Sequence, residues 1–116
     1  QLLIDLAADM QVPLAPIEPA TEGRLRQLLD PGLPPVNPLD AWGAGGPDAD
    51  DIMCDCLAAL MADPNAALGA VVQDRAPRGA LYHHYFDYLR AGHAASGKPV
   101  FLVSNRQGSG CIPSCR

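Results

Sequence analysis

Positive charge is scarce in this sequence, and its scarcity narrows the possible partners. Lys98 is the only lysine, and the arginines are scattered along the chain. With 13 acidic residues, the formal net charge is −5. Nucleic acids and anionic membrane surfaces are bound by clusters of basic side chains. We therefore expect neither of them as a partner.

Long apolar runs and a secretory leader pattern are also missing. No apolar run approaches the roughly 20 residues that a membrane helix needs. The first residues do not show a basic segment followed by an apolar core, which is the pattern of a signal peptide. The composition, 48% hydrophobic and 18% charged, is typical of a globular protein, and 116 residues suffice for one domain. We expect a cytoplasmic protein without a membrane span.

The cysteines do not have the spacing of a metal site. Two of the four, Cys54 and Cys56, fall within a helical pattern, and the others are Cys111 and Cys115. Residues two apart on a helix point roughly 200° away from each other, so both cannot easily bind one zinc ion. We expect reduced thiols and no metal. A disulfide between the two pairs stays open only for an oxidising compartment.

Hydrophobic periodicity predicts four helices, at about residues 2–10, 22–30, 47–62 and 80–95. Thr21 is expected to cap the second helix. Asp63-Pro64 should end the third helix, and Ser96-Gly97 the fourth. The first helix has no preceding cap, and the chain begins with Gln1 inside its pattern. We therefore interpret the chain as a piece of a longer protein.

Apolar runs between the helices predict strands at 68–73 and 99–104. Residues 12–17 are also apolar, but their two prolines restrict them to an edge strand or an extended segment. Strand, helix and strand in succession indicate a parallel βαβ unit and an α/β fold of three layers. All three strands should be parallel, with helices on both faces. The first helix should lie opposite the third or fourth.

In such sheets, the functional residues usually lie in the loops that follow the carboxyl ends of the strands. The segments 34–47, 74–79 and 104–110 qualify. The first is the longest, and an irregular loop of this length is usually functional or mobile. Asn37 and Asp40 suit a tight turn because both can bond local backbone N–H groups, and Pro38 favours an extended Asn37. The alternative is structural, with Trp42 covering the sheet edge and Asp40 capping a turn.

Other polar residues have simpler interpretations. The three histidines are His83, His84 and His93, and we expect surface or boundary positions on the fourth helix. The acidic side chains near the third helix start are interpreted as a solvated helix N-terminus rather than a cation site. They are Asp48, Asp50, Asp51 and Asp55. The segment 105–110, NRQGSG, lacks the Gly-Lys-Ser/Thr of a phosphate loop.

Three ordered motifs together resemble a known family. They are LLDPGLPPVNPLDAWGAGG at 28–46, LAALMADPNAALGAVVQD at 57–74 and ASGKPVFLVSN at 95–105. The chain resembles the NDP-forming acyl-CoA synthetases, which include ADP-forming acetate–CoA ligase and are related to succinyl-CoA synthetase. The resemblance is to their second flavodoxin-like domain, the ligase-CoA domain. It implies a flavodoxin-like fold over 1–110, incomplete at its N-terminus, with an irregular tail at 111–116.

The resemblance also implies a reaction for the parent enzyme. Family members join a carboxylic acid to CoA at the expense of a nucleoside triphosphate, usually with Mg²⁺, through an acyl phosphate and a phosphohistidine. The resemblance places ATP, Mg²⁺ and CoA, as well as the phosphorylated histidine, on other domains. It implies that the N-terminus of the first helix, formed by Gln1, Leu2 and Leu3, contacts the phosphohistidine loop.

The remaining partners implied by the resemblance are domains of the same ligase. Asn37, Pro38, Asp40 and Trp42 then form an active-site edge or domain-interface loop, and no residue of this chain is catalytic. We expect the chain alone to be inactive. The alternative is a free-standing flavodoxin-like binding or response module without catalysis. A flavin-binding module would need a Ser/Thr-rich phosphate loop, and a receiver module would need a lysine on its last strand.

Overall fold

The computed structural model describes residues 2–41, 43, 45–73 and 84–104, and these form a compact α/β arrangement. The α/β class is therefore confirmed. Residue 1, residue 42, residue 44, the segment 74–83 and the segment 105–116 lie outside the described part. The described helices and strands are, in chain order, α1 (Leu2–Asp9), α2 (Pro19–Leu28), α3 (Ala49–Ala62), β1 (Gly69–Gln73), α4 (His84–Ser96) and β2 (Val100–Ser104).

The two strands form a parallel sheet, as the apolar runs predicted. Gly69 lies opposite Val100 at one end, and Gln73 lies opposite Ser104 at the other. Helix α4 connects the strands and packs against both of them. It ends at Ser96. The next residue, Gly97, has a positive φ of 68°, which glycine adopts readily, and its N–H donates to the carbonyl of His93 at 2.7 Å.

A strand at 12–17 is not formed, so the extended alternative for this segment holds. Pro13 and Pro16 have no N–H to donate to a sheet. The carbonyl oxygens of Ala15 and Pro16 instead accept hydrogen bonds from the side-chain amides of Asn37 (2.9 Å) and Asn65 (3.0 Å). These side chains hold the segment against the helices, and it adds no strand to the sheet.

The predicted three layers are not found among the described residues. Helix α4 covers one sheet face, and α3 packs along α4. On the other face, Phe101 remains 53% exposed, and Val72 and Val103 are also exposed. Helix α1 does not pack extensively against any other described helix or strand. Its predicted place on the sheet face opposite α3 or α4 is therefore not observed.

Helices α3 and α4 run in the same direction. Asp50, near the start of α3, contacts His84 at the start of α4. Further along, the Leu57 and Met61 side chains crowd the α-carbon of Gly92, where an added β-carbon would meet Leu57 Cγ at 3.0 Å. A side chain at Gly92 would separate the helices, so this glycine permits their close approach.

The main core lies between α2 and α3. It is formed by Leu25, Leu29 and Cys56, with Ile17 and Leu39 among the partly buried residues around it. The long loop thus contributes an apolar side chain to the core as well as surface. None of the described helices is long and apolar enough to cross a membrane.

The start of α2 differs from the prediction. Helix α2 begins at Pro19, with Glu18 as its N-cap, and Thr21 lies inside the first turn. Proline is favoured at this first position because its fixed φ matches the helix and its missing N–H would be unpaired there. The Thr21 hydroxyl donates instead to the Asp63 carboxylate at 2.6 Å.

Candidate functional site

Three polar side chains meet where α3 and α4 begin, and we call them the amino-end cluster: Asp50, His84 and Tyr88. One Asp50 oxygen lies 2.6 Å from Nδ1 of His84, and the other accepts a hydrogen bond from the Tyr88 hydroxyl. The Tyr85 ring meets the Tyr88 ring edge to face, with centroids 5.5 Å apart. The cluster therefore joins two helices and is supported by an aromatic pair.

Local sequence and topology together produce this cluster. His84 and Tyr88 are four residues apart, so they share one face of α4. Asp50 lies in the first turn of α3, and the parallel packing of the helices brings it beside them. Because α4 connects two parallel strands, its start lies at the edge where the strands end. Ligands of open α/β sheets bind at this edge.

Electrostatics fixes the protonation of two members. The Tyr88 hydrogen bond and the nearby His84 imidazole hold the pKa of Asp50 below its ordinary value, although some burial opposes them. Burial and the Asp50 carboxylate both raise the pKa of Tyr88. At neutral pH, Asp50 is therefore an anion and Tyr88 a neutral donor. An ionised carboxylate only accepts hydrogen bonds, so Nδ1 of His84 carries the hydrogen of their contact.

This arrangement leaves Nε2 of His84 as the ring nitrogen not used by Asp50. The side chains of His84 and Asp50 are each 43% exposed, so solvent reaches the pair. A neutral imidazole with its Nδ1 hydrogen held by a carboxylate presents a lone pair at Nε2. That is the form of histidine that acts as a general base.

Cys54 lies nearby on α3 but is not activated. Partial burial raises its pKa, and the carboxylates of Asp87 and Asp51 add to the effect. Burial raises the pKa of Cys56 to about 11. A thiol is a nucleophile or metal ligand mainly when ionised, so both described cysteines remain inert thiols at neutral pH. The described residues also contain no group of three side chains that could hold a metal ion.

Asp50 lies in the first turn of α3, as the interpretation as a helix N-terminus predicted, and it also binds His84 and Tyr88. Asp48 is the N-cap of α3, but its side chain makes no capping hydrogen bond. His84 is a boundary residue, as expected, yet it starts the described part of α4 and is tied to another helix. The i, i+4 spacing of His84 and Tyr88 was the only signal in the sequence.

Three of the residues assigned by resemblance, Leu3, Asn37 and Asp40, can be described individually. Leu3 is 41% exposed near the start of α1, which begins at Leu2. The side-chain amide of Asn37 donates to the distant Ala15 carbonyl, and the Asn37–Pro38 peptide, which lies in a bend of the chain, is cis. Asp40 is exposed.

Other predicted residues lie outside the described part of the chain. Gln1 and Trp42 from the assigned site are among them. The same applies to His83, the loop 74–79, the segment 105–110, and the tail with Cys111 and Cys115.

A second carboxylate cluster lies at the opposite end of α3, and we call it the carboxyl-end cluster. Asp63 is 2% exposed. Its oxygens accept from the Thr21 hydroxyl and from the backbone N–H groups of Glu18 and Asn65, both at 2.8 Å. Lys98 Nζ donates to the carbonyls of Met61 and Asp63 at 2.9 and 2.8 Å. These bonds lower the pKa of Asp63 and leave it inaccessible, so its role is structural.

A shallow groove of about 360 Å³ lies between α2 and α3. Its floor is made mostly of alanine methyl groups, and its polar rim includes Arg24 and Asp55. Such a surface offers few directed contacts to a small ligand, since binding pockets combine apolar walls with converging polar groups. The amino-end cluster is therefore the better candidate for chemistry.

No known protein family, curated protein or solved structure matches this chain.

Proposed function

We propose that this chain is the ligase-CoA domain of an NDP-forming acid–CoA ligase. The enzyme would convert a carboxylic acid, CoA and a nucleoside triphosphate into acyl-CoA, nucleoside diphosphate and phosphate. The observation that carries the proposal is the parallel β1–α4–β2 unit, in which Gly97-Lys98-Pro99 leads directly into β2. This position supports the resemblance of the GKPV motif to the residues at which a strand begins in that domain.

The proposal gives the chain a supporting part in the reaction. The N-terminus of α1, with Gln1, Leu2 and Leu3, contacts the phosphohistidine loop of another domain. Helix N-termini suit this task, because their free N–H groups and dipole stabilise a phosphoryl anion. The residues of the long loop contact neighbouring domains. They are Asn37, Pro38, Asp40 and Trp42.

In this proposal the partner domains bind the nucleotide, the metal ion and CoA. ATP, Mg²⁺ and CoA bind on the CoA-binding, first flavodoxin-like and ATP-grasp domains of the same cytoplasmic ligase. The uncovered sheet face at Val72, Phe101 and Val103 is consistent with a larger flavodoxin-like sheet.

The test compares the complete reading frame that encodes this chain with the 116-residue chain alone. Each is incubated with acetate or an aromatic acid, ATP, Mg²⁺ and CoA, and the thioester is measured by mass spectrometry. We expect thioester only from the protein encoded by the complete frame. None should form after this 116-residue segment is deleted from that protein.

Two results would overturn the proposal. One is a complete frame without acid–CoA ligase activity. The other is a thioester, or an acid-labile phosphate on His83, His84 or His93, made by the 116-residue chain alone.

A further inference from the structure

The amino-end cluster has a chemical capacity that the motif resemblance does not use. Asp50 is ionised, it occupies Nδ1 of His84, and the half-exposed imidazole lies at the carboxyl edge of the sheet. We infer that His84, oriented by Asp50, is the general base that accepts the thiol proton of CoA during thioester formation. This inference rests on the proposed function.

The reaction contains one step that needs such a base. The carboxylic acid is already ionised at neutral pH, whereas an ordinary thiol is mostly protonated. The thiol sulfur attacks the carbonyl carbon of the acyl phosphate, and the C–S bond forms while the C–O bond to phosphate breaks. Phosphate leaves with that electron pair, the thiol proton passes to Nε2 of His84, and the imidazole then releases it to water.

Two side chains fix the position of the His84 imidazole. The Asp50 carboxylate of α3 binds its Nδ1, and the Tyr88 hydroxyl, on the same helix as His84, donates to the other Asp50 oxygen. Tyr88 fixes the second Asp50 oxygen, so the carboxylate stays aligned with Nδ1.

His93 provides a matched control on the same helix. Its Nδ1 lies 2.9 Å from the backbone carbonyl of Lys98, at the opposite end of α4. Its Nδ1 partner is a neutral carbonyl rather than a carboxylate, and this end of α4 lies away from the carboxyl edge of the sheet. His93→Gln should therefore leave the proton-transfer step unchanged.

The decisive experiment isolates thioester formation in the complete reading frame. Synthetic acyl phosphate and CoA are supplied without ATP, and thioester formation is followed. His84→Gln should slow this step about 10²- to 10⁴-fold, the range typical of general-base catalysis. Phosphorylation of the enzyme by ATP should be unchanged. Free imidazole should restore part of the rate to His84→Ala, and the fall in rate at acid pH should disappear from the His84→Gln profile.

A second measurement does not depend on ligase activity. Nitrogen-15 NMR of the 116-residue chain should show hydrogen on Nδ1 of His84, and Asp50→Asn should shift this tautomer while leaving His93 unchanged. Asp50 is a positioning residue, so Asp50→Asn should lower the rate of thioester formation less than His84→Gln does.

The outcomes separate the two proposals. If the complete frame makes no thioester, the proposed function is wrong and this inference is wrong with it. If the wild type is active and His84→Gln keeps its full rate with acyl phosphate, only the inference is wrong. Lost activity that imidazole does not restore, together with an unchanged acid limb, would assign His84 a structural role and would also overturn it.

Discussion

The two ends of α3 each present an aspartate to a neighbouring helix or loop, but in opposite circumstances. Asp63 is 2% exposed and receives two backbone N–H groups and a hydroxyl, none of which titrates near neutral pH. The Asp50 side chain is 43% exposed, and one of its partners is an imidazole. The comparison indicates that a carboxylate is structural when its hydrogen-bond partners are buried from solvent and do not titrate. A carboxylate is available for chemistry when one of its partners can exchange protons with solvent.

Replacing Asp63 should produce the largest loss of stability. In Asp63→Ala, the N–H groups of Glu18 and Asn65 and the hydroxyl of Thr21 lose their acceptor in a dry site. Hydrogen bonds to charged groups contribute about 1.5–3 kcal/mol each, and such bonds are not additive, so we expect a loss of about 3 kcal/mol. Urea denaturation followed by circular dichroism measures it.

Asp48→Ala is the matched control for that change. Asp48 is the exposed N-cap of the same helix and makes no side-chain capping bond, so the change should stay within about 0.5 kcal/mol. Equal losses in the two variants would contradict the assignment of Asp63 as the structural carboxylate.

Lys98→Met should have the next largest effect. The methionine keeps the length of the side chain but removes the donor from the Met61 and Asp63 carbonyls, which end α3. We expect a loss of about 1–2 kcal/mol in the free energy of unfolding. Arg90→Met removes an exposed pair with Asp87 and should cost about 0.5 kcal/mol or less. A Lys98 variant as stable as the wild type would show that water replaces these bonds.

A smaller effect is expected at the amino-end cluster. Tyr88→Phe keeps the buried ring but removes the donor to Asp50, and the remaining carboxylate can bind water because it is half exposed. We expect a loss of about 1 kcal/mol, measured by thermal and urea unfolding. Tyr85→Phe, which makes no hydrogen bond to Asp50 and keeps the ring contact, serves as the control. A loss as large as that of Asp63→Ala would make the two ends energetically equivalent.

The smallest effect on the free energy of unfolding is expected when the pH is lowered. The folded chain lowers the pKa of Asp63 and of Asp50 below 3.8, so the unfolded chain binds more protons in this range. The stability from both groups is present above their ordinary pKa and decreases as pH falls below about 4 towards the folded values. Asp63→Asn and Asp50→Asn should each flatten this dependence. Stability that rises on acidification would reverse the sign and contradict the assignment.

The sequence predicted those features that depend on local pattern. Apolar runs on either side of an amphipathic helix predicted the parallel pairing of β1 with β2, and Asp63-Pro64 and Gly97 marked the helix ends correctly. Thr21 was misassigned because threonine is a good N-cap, although Pro19 was the stronger signal for a first helical residue. The missing strand at 12–17 depended on which partners its carbonyls would find, which a pattern does not specify.

The amino-end cluster could not be predicted in the same way. Asp50 and His84 are 34 positions apart, and their contact exists only because α3 and α4 pack in parallel with their starts aligned. Helical periodicity gives the apolar face of each helix but not their relative shift along the axis. If α3 were shifted along its axis by one helical turn, Asp50 would move by about 5.4 Å relative to His84, and their contact would be lost.

The two-stranded sheet has a consequence for the behaviour of the chain at high concentration. Among the described residues, each strand pairs on one side only, so both β1 and β2 are edge strands. Their sequences, GAVVQ and VFLVS, contain neither charge nor proline, the features by which natural edges resist adding a strand from another molecule. The edges of the described sheet therefore lack the usual barriers to the addition of a strand from a second molecule, and we expect the chain to self-associate more readily as its concentration rises.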